Sequence, residues 1–467
     1  MKTHRQPNII LINCDDLGYG DLGCYGSDSN DTPVIDSMAA EGARFTDFYM
    51  ASPVCSPSRA SLLTGCYPTR VGFGTLDGLP VLFPGQRVGL HPDETTMADI
   101  LRDAGYATKH VGKWHVGDQA PFLPTRHGFD SSYGIPYSHD MGRQRDNNIL
   151  QLLRSGGVVV ADEDPPLPLL LDDEVIEEQP ELASLTGRFV EESVRFIRAN
   201  RGGPFFLYFA HIYVHLPLYV QERFARDSRN GPYGAAVACI DWATGVLLSE
   251  IHKLGLDDDT VIIFTSDNGA RGDHGGSNGQ LRGSKGTTWE GGMRVPFIVR
   301  WPGRISSGTV VSDLASSIDL LPTFASLAGA EVPSDRRIDG VDLTQLLLSD
   351  GPSPREDFLF YDGENLEAVR EGRWKLHVAR KGSEVTELYD LLADAHESSD
   401  LSSEYPDVVE RLRAKAHVAT SELGDARTGV KGADVRPVGK VECPVPLTVF
   451  DPAHPYYMAE YDLADKG

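Results

Sequence analysis

The sequence is poor in three features that mark common classes of protein. It has only six cysteines in 467 residues, and none forms a Cys-x-x-Cys pair, so neither a disulfide framework nor a zinc site of that type is expected. No apolar run approaches the length of about 20 residues that a membrane-spanning helix needs. Positive charge is scarce, with 43 Lys and Arg against 68 Asp and Glu and a net charge of −25. This balance argues against nucleic acid or an anionic membrane surface as the main partner.

The first residues also lack the apolar core and cleavage site of a secretory signal. Residues 1–7 pass directly into an apolar run at residues 8–13. As written, the chain is expected to be cytoplasmic, or periplasmic or secreted if a leader has been removed. No feature of the sequence indicates the oligomeric state.

A chain of this length has room for one large domain and a smaller appended one. We predict a main domain over residues 1–350 and a smaller C-terminal α+β subdomain with a tail, packed on the first, over residues 351–467. Apolar strand patterns alternate with amphipathic helices in the first part, and short alternating strands followed by one helix occupy the second. We therefore expect an α/β fold with a large central, mostly parallel sheet flanked by helices, plus a small C-terminal antiparallel sheet with one helix.

The stretch at residues 51–66, A-S-P-V-C-S-P-S-R-A-S-L-L-T-G-C, carries the strongest signal. Ser56 is predicted to cap a short helix that Gly65 ends. Cys55 then lies at a helix N-terminus, where free N–H groups and the dipole favour anions. Arg59, four residues on, can share a face with Cys55 and bind an oxyanion through its planar guanidinium. The alternative interpretation is an incidental cysteine beside a surface arginine.

Four predicted strands end in polar residues that could carry chemistry. These ends hold Asp15 and Asp16, Lys113 and His115, His211 and His215, and Asp267 and Asn268. Paired carboxylates are costly to bury unless a cation lies between them, and oxygen ligands predict a hard ion such as Ca²⁺ or Mg²⁺. Each pair alone could be a solvated turn, a surface charge or a satisfied histidine. Because ligands bind beyond the carboxyl ends of parallel strands, the four together predict one site.

Two further segments carry polar residues near these strands. Residues 116–180 are rich in loops and are interpreted as a pocket wall, in which Ser138 belongs to the polar motif G-I-P-Y-S-H-D. A glycine-rich loop after Asn268 carries Lys285 in the motif K-G-T-T-W-E-G-G.

On these residues the chain resembles the type I sulfatases of the alkaline-phosphatase-like superfamily, with a pattern most like the arylsulfatase A group. The resemblance covers roughly residues 7–400. It rests on the motifs N-C-D-D-L-G, V-C-S-P-S-R-A-S-L-L-T-G, G-K-W-H, G-I-P-Y-S-H-D, T-S-D-N-G and K-G-T-T-W-E-G-G. It implies an alkaline-phosphatase-like sheet and a sulfuric ester hydrolase that converts a sulfate monoester to an alcohol and inorganic sulfate.

The resemblance also implies roles for individual residues. In this family the signature cysteine is oxidised after translation to formylglycine, whose hydrate is the nucleophile, so Cys55 is expected to meet a formylglycine-generating enzyme. Arg59 is implied to hold the hydrate and His115 to bond its hydroxyl. The implied ligands of Ca²⁺, with Mg²⁺ possible, are Asp15, Asp16, Cys55, Asp267 and Asn268. The implied sulfate contacts are Lys113, Ser138, His215 and Lys285, and catalytic roles fall to Cys55, Arg59, Lys113, His115, His215 and Lys285. His211 is not assigned, because the family's histidine precedes a residue and a proline, as His215 does.

Two alternatives stay open at this point. A phosphonate monoester or phosphodiester hydrolase can share C-x-P-x-R, but Asn268, where those relatives tend to have histidine, and Lys285 favour sulfate. A non-catalytic binding protein on the same fold would show an incomplete site, and here no core position is missing. The expected substrate is a small-molecule or carbohydrate sulfate ester. The choice among aryl, sugar and lipid sulfates depends on residues 70–90, residues 116–180 and the tail after residue 420, whose sequence does not indicate it.

Overall fold

The computed structural model describes residues 6–143, 165–349 and 351–457. In these ranges the strands are β1 (Asn8–Cys14), β2 (Ala43–Phe45), β3 (Phe48–Tyr49), β4 (Val88–Gly89), β5 (Ala107–Lys113), β6 (Ser131–Ile135), β7 (Pro168–Leu171), β8 (Glu174–Glu178), β9 (Phe205–Ala210), β10 (Thr260–Ser266), β11 (Phe297–Arg300), β12 (Thr309–Val311), β13 (Ala315–Ser316), β14 (Asp357–Asp362), β15 (Asn365–Glu371), β16 (Trp374–Arg380), β17 (Ser383–Asp390), β18 (Gly424–Asp425), β19 (Val430–Lys431) and β20 (Gly439–Lys440). The α-helices are α1 (Pro33–Glu41), α2 (Cys55–Thr64), α3 (Met97–Asp103), α4 (Leu182–Asn200), α5 (Glu222–Ala225), α6 (Gly231–Lys253), α7 (Glu290–Met293), α8 (Leu320–Ala328), α9 (Thr344–Ser349) and α10 (Pro406–Leu423).

A ten-stranded sheet forms the centre of the molecule, in the order β12-β2-β11-β10-β1-β9-β5-β6-β7-β8. Its middle strands β10, β1, β9, β5 and β6 run parallel to one another. Strand β11 is antiparallel to β10, and β7 and β8 add an antiparallel edge on the other side. The predicted large, mostly parallel sheet is confirmed.

The central strand β1 explains why helices cover both faces of this sheet. All seven of its residues are buried, and alternate side chains point to opposite faces. Ile9 and Leu11 belong to an apolar cluster with α2, α3 and α8. Ile10 and Ile12 belong to a second cluster with α1, α4 and α6. The run of apolar residues in the sequence is thus the signature of a strand between two layers of helices.

Within the described residues, helix α6 is long and apolar enough to cross a membrane by length and composition alone. Two-thirds of its most apolar stretch, 67%, is buried inside the fold. Side chains such as Val237, Ile240 and Leu247 pack in the cluster that covers one face of the sheet. Core helices of globular proteins pass the same test, so length and composition are weak signals here.

Residues 116–180, expected to be rich in loops, also contain strands. Strands β6, β7 and β8 lie in this segment and extend the sheet, and residues 144–164 lie outside the described residues. Strand β7 pairs with the edge strand β8 with a register shift between Leu169 and Leu170. Their sequence alternates poorly because Pro168 opens β7 and acidic residues dominate β8. A pattern of that kind gives little strand signal.

The C-terminal part forms the predicted small antiparallel sheet, β14-β15-β16-β17, with helix α10 packed against β15 and β16. Its apolar side chains share a cluster with residues of the first part, among them Tyr49, Tyr67 and Met293. The tail then leaves this sheet and runs back over the first part, where β20 pairs with β4. The domain boundary at residue 350 stays a prediction, and the tail beyond residue 457 lies outside the described residues.

All six cysteines lie in the described ranges, and each is free, as expected from their number and spacing. Cys14, Cys66 and Cys239 are buried and Cys24 is half-buried. Cys443 is exposed, because it lies on the tail that crosses the surface. The fold therefore depends on packing and ion pairs rather than on disulfide bonds.

Candidate active site

The carboxyl ends of four adjacent strands meet at one edge of the sheet. Strands β10, β1, β9 and β5 are neighbours in that order and run in the same direction. Their ends carry the residue pairs predicted from the sequence, Asp267 and Asn268, Asp15 and Asp16, His211 and His215, and Lys113 and His115. The expectation that these groups share one edge is confirmed. All eight side chains are buried.

Helix α2 brings Cys55 to this edge. The helix starts at Cys55 itself, after an extended Val54, and Gly65 ends it in the left-handed conformation with φ 67°. The prediction that Ser56 is the N-cap is wrong, because its Oγ instead accepts a hydrogen bond from Leu82 N at 3.0 Å. Cys55 is 2% exposed, and burial raises the pKa of its thiol to about 11 although nearby lysines oppose the shift.

Three ion pairs surround Cys55, two of them fully buried and that of Lys285 nearly so. They join Lys113 Nζ to Asp15 Oδ2 at 2.6 Å, Lys285 Nζ to Asp16 Oδ2 at 2.8 Å, and Arg59 Nε to Asp267 Oδ2 at 2.9 Å. Arg59 also donates from Nη1 to the carbonyl oxygen of Lys113 at 2.8 Å. Buried charges cost several kcal/mol each unless they are paired and hydrogen-bonded. The three carboxylates and three cations balance, so these side chains alone sum to zero charge.

The surroundings shift the pKa values of the three carboxyl groups in opposite directions. Burial raises the pKa of Asp267 to about 7, and the negative charge of Asp15 adds to this shift. Burial acts in the same direction on Asp15, but Lys113, His215 and Arg59 outweigh it and hold the pKa of Asp15 far below its usual range. The Lys285 ammonium similarly lowers the pKa of Asp16 against the effect of burial. Asp15 and Asp16 are therefore held as anions.

The same edge has the donor atoms of a site for a hard cation. Ligand atoms of Asp15, Cys55 and Asp267 lie within 4.8 Å of one another. In the part of the chain that the structure describes, Asp15 Oδ1 and Asn268 Oδ1 are buried without a hydrogen-bond partner. Asn268 Nδ2 donates to Asp16 Oδ1 at 2.7 Å, which fixes the orientation of its amide. Oxygen donors in this arrangement fit a divalent metal ion.

His115 is oriented by a backbone group that the sequence does not reveal. Its Nε2 lies 3.0 Å from the carbonyl oxygen of Leu82. Because a carbonyl can only accept, Nε2 carries the proton and Nδ1 the lone pair. Among the described residues His115 Nδ1 has no partner, and burial followed by the charge of Lys113 lowers the pKa of the ring. The geometry makes His115 a neutral proton acceptor.

The remaining predicted residues, His215 and Ser138, lie close to each other, and His215 lies beside Asp16. His215 Nδ1 lies 2.7 Å from Leu216 O and 3.4 Å from Ser138 Oγ, and its Nε2 lies 3.9 Å from Asp16 Oδ2. His139, which follows Ser138 in the polar motif and was given no role, places its ring 5.7 Å from that of His215. His211 accepts a hydrogen bond at Nδ1 from Tyr213 N at 3.1 Å and stays outside the assigned set. Every predicted site residue is thus brought to this edge.

The loop that carries Lys285 lies against the loop that leads into α2. Gly286 N donates to Pro53 O at 2.9 Å and Lys285 N to Ala270 O at 3.1 Å. The glycines of the motif are needed for close packing, since a Cβ on Gly292 would lie 1.9 Å from Thr287 O. The glycine-rich sequence therefore lets the backbone fold tightly under Lys285.

The comparisons with known proteins agree with this geometry. The family model described as Sulfatase matches residues 7–330. The chain belongs to the sulfatase family. A second family model, described as N-sulphoglucosamine sulphohydrolase, C-terminal, matches residues 284–421 of this sulfatase.

Named relatives cover most of this sulfatase. It is 43% identical to arylsulfatase A of Homo sapiens over 453 residues, which is 93% of the chain and 86% of that relative. It is 42% identical to N-acetylgalactosamine-6-sulfatase of Canis lupus familiaris, over 80% of the chain and 72% of the relative. The crystal structure of the PsFucS1 sulfatase from Pseudoalteromonas sp. covers 92% of both chains with a TM-score of 0.80 and 30% identity.

These comparisons confirm the predicted family, fold class and reaction class. The protein is a sulfuric ester hydrolase, similar to arylsulfatase A, that hydrolyses sulfate esters. They do not favour the phosphonate monoester or phosphodiester alternative or the non-catalytic one. The family implies a metal ion, and the donor atoms of Asp15, Cys55 and Asp267 fit one.

Proposed function

We propose that the enzyme cleaves a small-molecule or carbohydrate sulfate monoester through a formylglycine hydrate made from Cys55, with Ca²⁺ as the bound ion. The observation that carries this proposal is the position of Cys55. The Cys55 side chain lies at a helix N-terminus, within 4.8 Å of one carboxylate oxygen each of Asp15 and Asp267 and near the cations of Arg59, Lys113 and Lys285. Such a place suits an oxygen nucleophile that must approach an anionic ester.

The charge balance of the site supports a divalent ion. The three ion pairs sum to zero, whereas a sulfate monoester and an ionised hydrate oxygen each bring one negative charge. A cation held by Asp15, Asp16, Asp267, Asn268 and the modified Cys55 would add two positive charges and lower the pKa of the nucleophile. Oxygen ligands favour Ca²⁺, with Mg²⁺ as the second choice.

In the first half-reaction Asp15 or Asp267 takes a proton from one hydroxyl of the hydrate. The resulting oxygen attacks sulfur while Arg59 holds the hydrate and Lys113, Lys285 and Ser138 hold the sulfate oxygens. The bond from sulfur to the alcohol oxygen breaks, and His215 or Lys285 protonates the departing alcohol. The product is an enzyme with sulfate bound covalently at residue 55.

In the second half-reaction His115 Nδ1 takes the proton of the remaining hydroxyl. The carbonyl of formylglycine re-forms, its bond to the sulfate oxygen breaks, and inorganic sulfate leaves with that electron pair. Water then adds to the aldehyde and restores the hydrate. The unpartnered Nδ1, oriented by Leu82 O, supports this role for His115.

His115→Gln should therefore stop the reaction between its two halves. We expect kcat to fall by about 10²-fold, because general bases contribute at least this much. Acid quenching followed by intact-mass measurement should show a sulfated enzyme after one turnover. His211→Gln is the matched control, since His211 lies on the same edge without an assigned role, and it should turn over without the adduct. A normal kcat in His115→Gln, or a slow variant without adduct, contradicts the role.

The buried position of Cys55 bears on its modification. All ten residues of α2 are buried, so a modifying enzyme has no access to the folded signature. We therefore propose that a formylglycine-generating enzyme acts on the chain before it folds. Incubating folded, unconverted protein with that enzyme should leave the mass unchanged, and conversion of the folded form would contradict this order. The predicted cellular location stays a prediction.

The identity of the alcohol depends on the pocket walls. Relatives named for aryl and for N-acetylgalactosamine sulfates match this chain equally well, at 43% and 42% identity. Sequence identity thus supports an aryl sulfate and a sugar sulfate equally as the substrate. Both classes belong to the proposed substrates.

The test compares initial rates on a chromogenic aryl sulfate and the matching phosphonate monoester. The enzyme is produced with a formylglycine-generating system, stripped with a chelator, and supplied with Ca²⁺ or Mg²⁺. We expect the sulfate rate to exceed the phosphonate rate greatly and Ca²⁺ to restore it best. A phosphonate preference overturns the substrate class, and better recovery with Mg²⁺ overturns the choice of ion. Inactivity on both esters with Cys55 converted would favour carbohydrate sulfates.

A further inference from the structure

The loop that carries Lys285 is held at its far end by charges from the small C-terminal sheet. Lys375 on β16 is fully buried and directs its ammonium into this loop. Its Nζ donates to Thr288 O at 2.8 Å and lies 3.0 Å from Glu290 Oε1 and 2.9 Å from Glu397 Oε1. These three acceptors match the three N–H groups of a lysine.

Glu397 also binds the loop that carries Lys285. Its Oε2 accepts a hydrogen bond from Glu290 N at 2.8 Å, and its carbonyl accepts one from Arg282 Nη1 at 2.8 Å. His377 Nε2, also on β16, donates to Glu397 Oε1 at 2.9 Å. Residues before and after Lys285 are therefore fixed to one residue, Glu397, through its backbone carbonyl and its carboxylate, and Glu397 lies more than 100 positions away in the sequence.

The loop needs such support because its own backbone is permissive. Gly283 and Gly286 have positive φ values of 83° and 78°, and glycine loses more conformational freedom on ordering than other residues. Replacing a buried ion pair by apolar groups is often neutral for stability, so stability alone is a weak reason for these charges. Their geometry instead fixes the position of the backbone between Lys285 and Glu290.

We propose that Lys375, together with Glu397, is a positioning residue for Lys285. It fixes Thr288 O and the Glu290 carboxylate, and thereby holds the Lys285 ammonium 2.8 Å from Asp16 Oδ2, where it faces the sulfate. The C-terminal sheet thus takes part in sulfate binding without touching the ester. This inference rests on the proposed role of Lys285 as a sulfate contact.

The test is a double-mutant cycle of Lys375→Met and Lys285→Ala on the fully converted enzyme. The readouts are kcat/KM on the chromogenic aryl sulfate and the inhibition constant of inorganic sulfate. With Lys285 present, Lys375→Met should lower kcat/KM by about 10- to 100-fold, the size of effect expected from displacing a group by about 1 Å. It should weaken inhibition by sulfate as well. With Lys285→Ala in place, Lys375→Met should have no further effect on either quantity.

The control is Lys415→Met. Lys415 lies on α10 and pairs with Asp357 and Glu371 at the surface, so its loss should leave both readouts unchanged. If Lys375→Met fails to fold, the charge-balanced pair Lys375→Met with Glu397→Gln takes its place in the cycle. An equal loss in both backgrounds, or no loss with Lys285 present, overturns the positioning role. Wild-type activity of Lys285→Ala overturns instead the proposed role of Lys285.

Discussion

Cys55→Ala should abolish turnover while the protein stays folded. Alanine has no side-chain atom that can become a hydrated aldehyde, so the nucleophile is lost and only binding and charge stabilisation remain. Removal of a nucleophile from an enzyme of covalent mechanism lowers kcat by on the order of 10⁴- to 10⁶-fold. We expect a rate at the limit of detection on the aryl sulfate, with a thermal unfolding midpoint close to that of the unmodified wild type.

The matched control is Cys239→Ala. Cys239 is buried on α6, within the apolar cluster on the face of the sheet away from α2, so its loss tests the effect of removing a buried sulfur alone. Its activity should match that of the wild type. Wild-type protein made without a formylglycine-generating enzyme should behave like Cys55→Ala. Retained turnover in Cys55→Ala would refute the covalent scheme.

Arg59→Ala should impair both stability and catalysis. Arg59 is fully buried and donates to the Asp267 carboxylate and to the carbonyl oxygen of Lys113. Its removal leaves Asp267 buried without its cation, and breaking a buried pair in this way costs about 3–5 kcal/mol. The loss of a charged donor beside the nucleophile should lower kcat by about 10³-fold. Chemical denaturation and steady-state rates on the aryl sulfate measure the two effects.

Arg355→Ala separates the two effects. Arg355 binds Asp319 through both Nε and Nη2, and this pair is also buried but lies under the C-terminal sheet. Arg355→Ala should lower the free energy of unfolding by a similar amount, while kcat per folded molecule stays at the wild-type value. If both arginine variants lose activity equally, the effect of Arg59 is only structural. If Arg59→Ala keeps its kcat, Arg59 has no catalytic role.

Much of the site follows from local sequence. The run that forms β1 is apolar at every position, which requires burial on both faces and hence a central strand between helices. The chain returns from the end of such a strand through a helix, so the next strand runs in the same direction. The carboxyl ends of these parallel strands then place Asp15, Lys113, His215 and Asp267 at one edge of the sheet. The side chains that do chemistry could therefore be grouped before the structure was known.

Local rules failed where a distant group competes for the same atom. Ser56 has the sequence position of a helix cap, but its hydroxyl accepts a hydrogen bond from Leu82 N in the folded chain, and the helix starts two residues earlier than this cap predicts, at Cys55. Strands β7 and β8 show no clear alternation of apolar and polar residues, because β7 begins with proline and β8 is mostly acidic. Pairing with neighbouring strands in the sheet, rather than their own sequence pattern, makes them strands.

The sequence by itself determined the family, the parallel sheet and the identity of the charged and nucleophilic groups, because these depend on residue type and on periodicity over short stretches. Only the tertiary structure decided how those groups are held. The proton position on His115 depends on the carbonyl of Leu82, and the support of the Lys285 loop depends on Lys375, which lies 87 positions from Thr288. Every residue has a backbone carbonyl, so the sequence does not indicate which one a side chain will bind. Long-range pairs form only when packing brings two distant segments together.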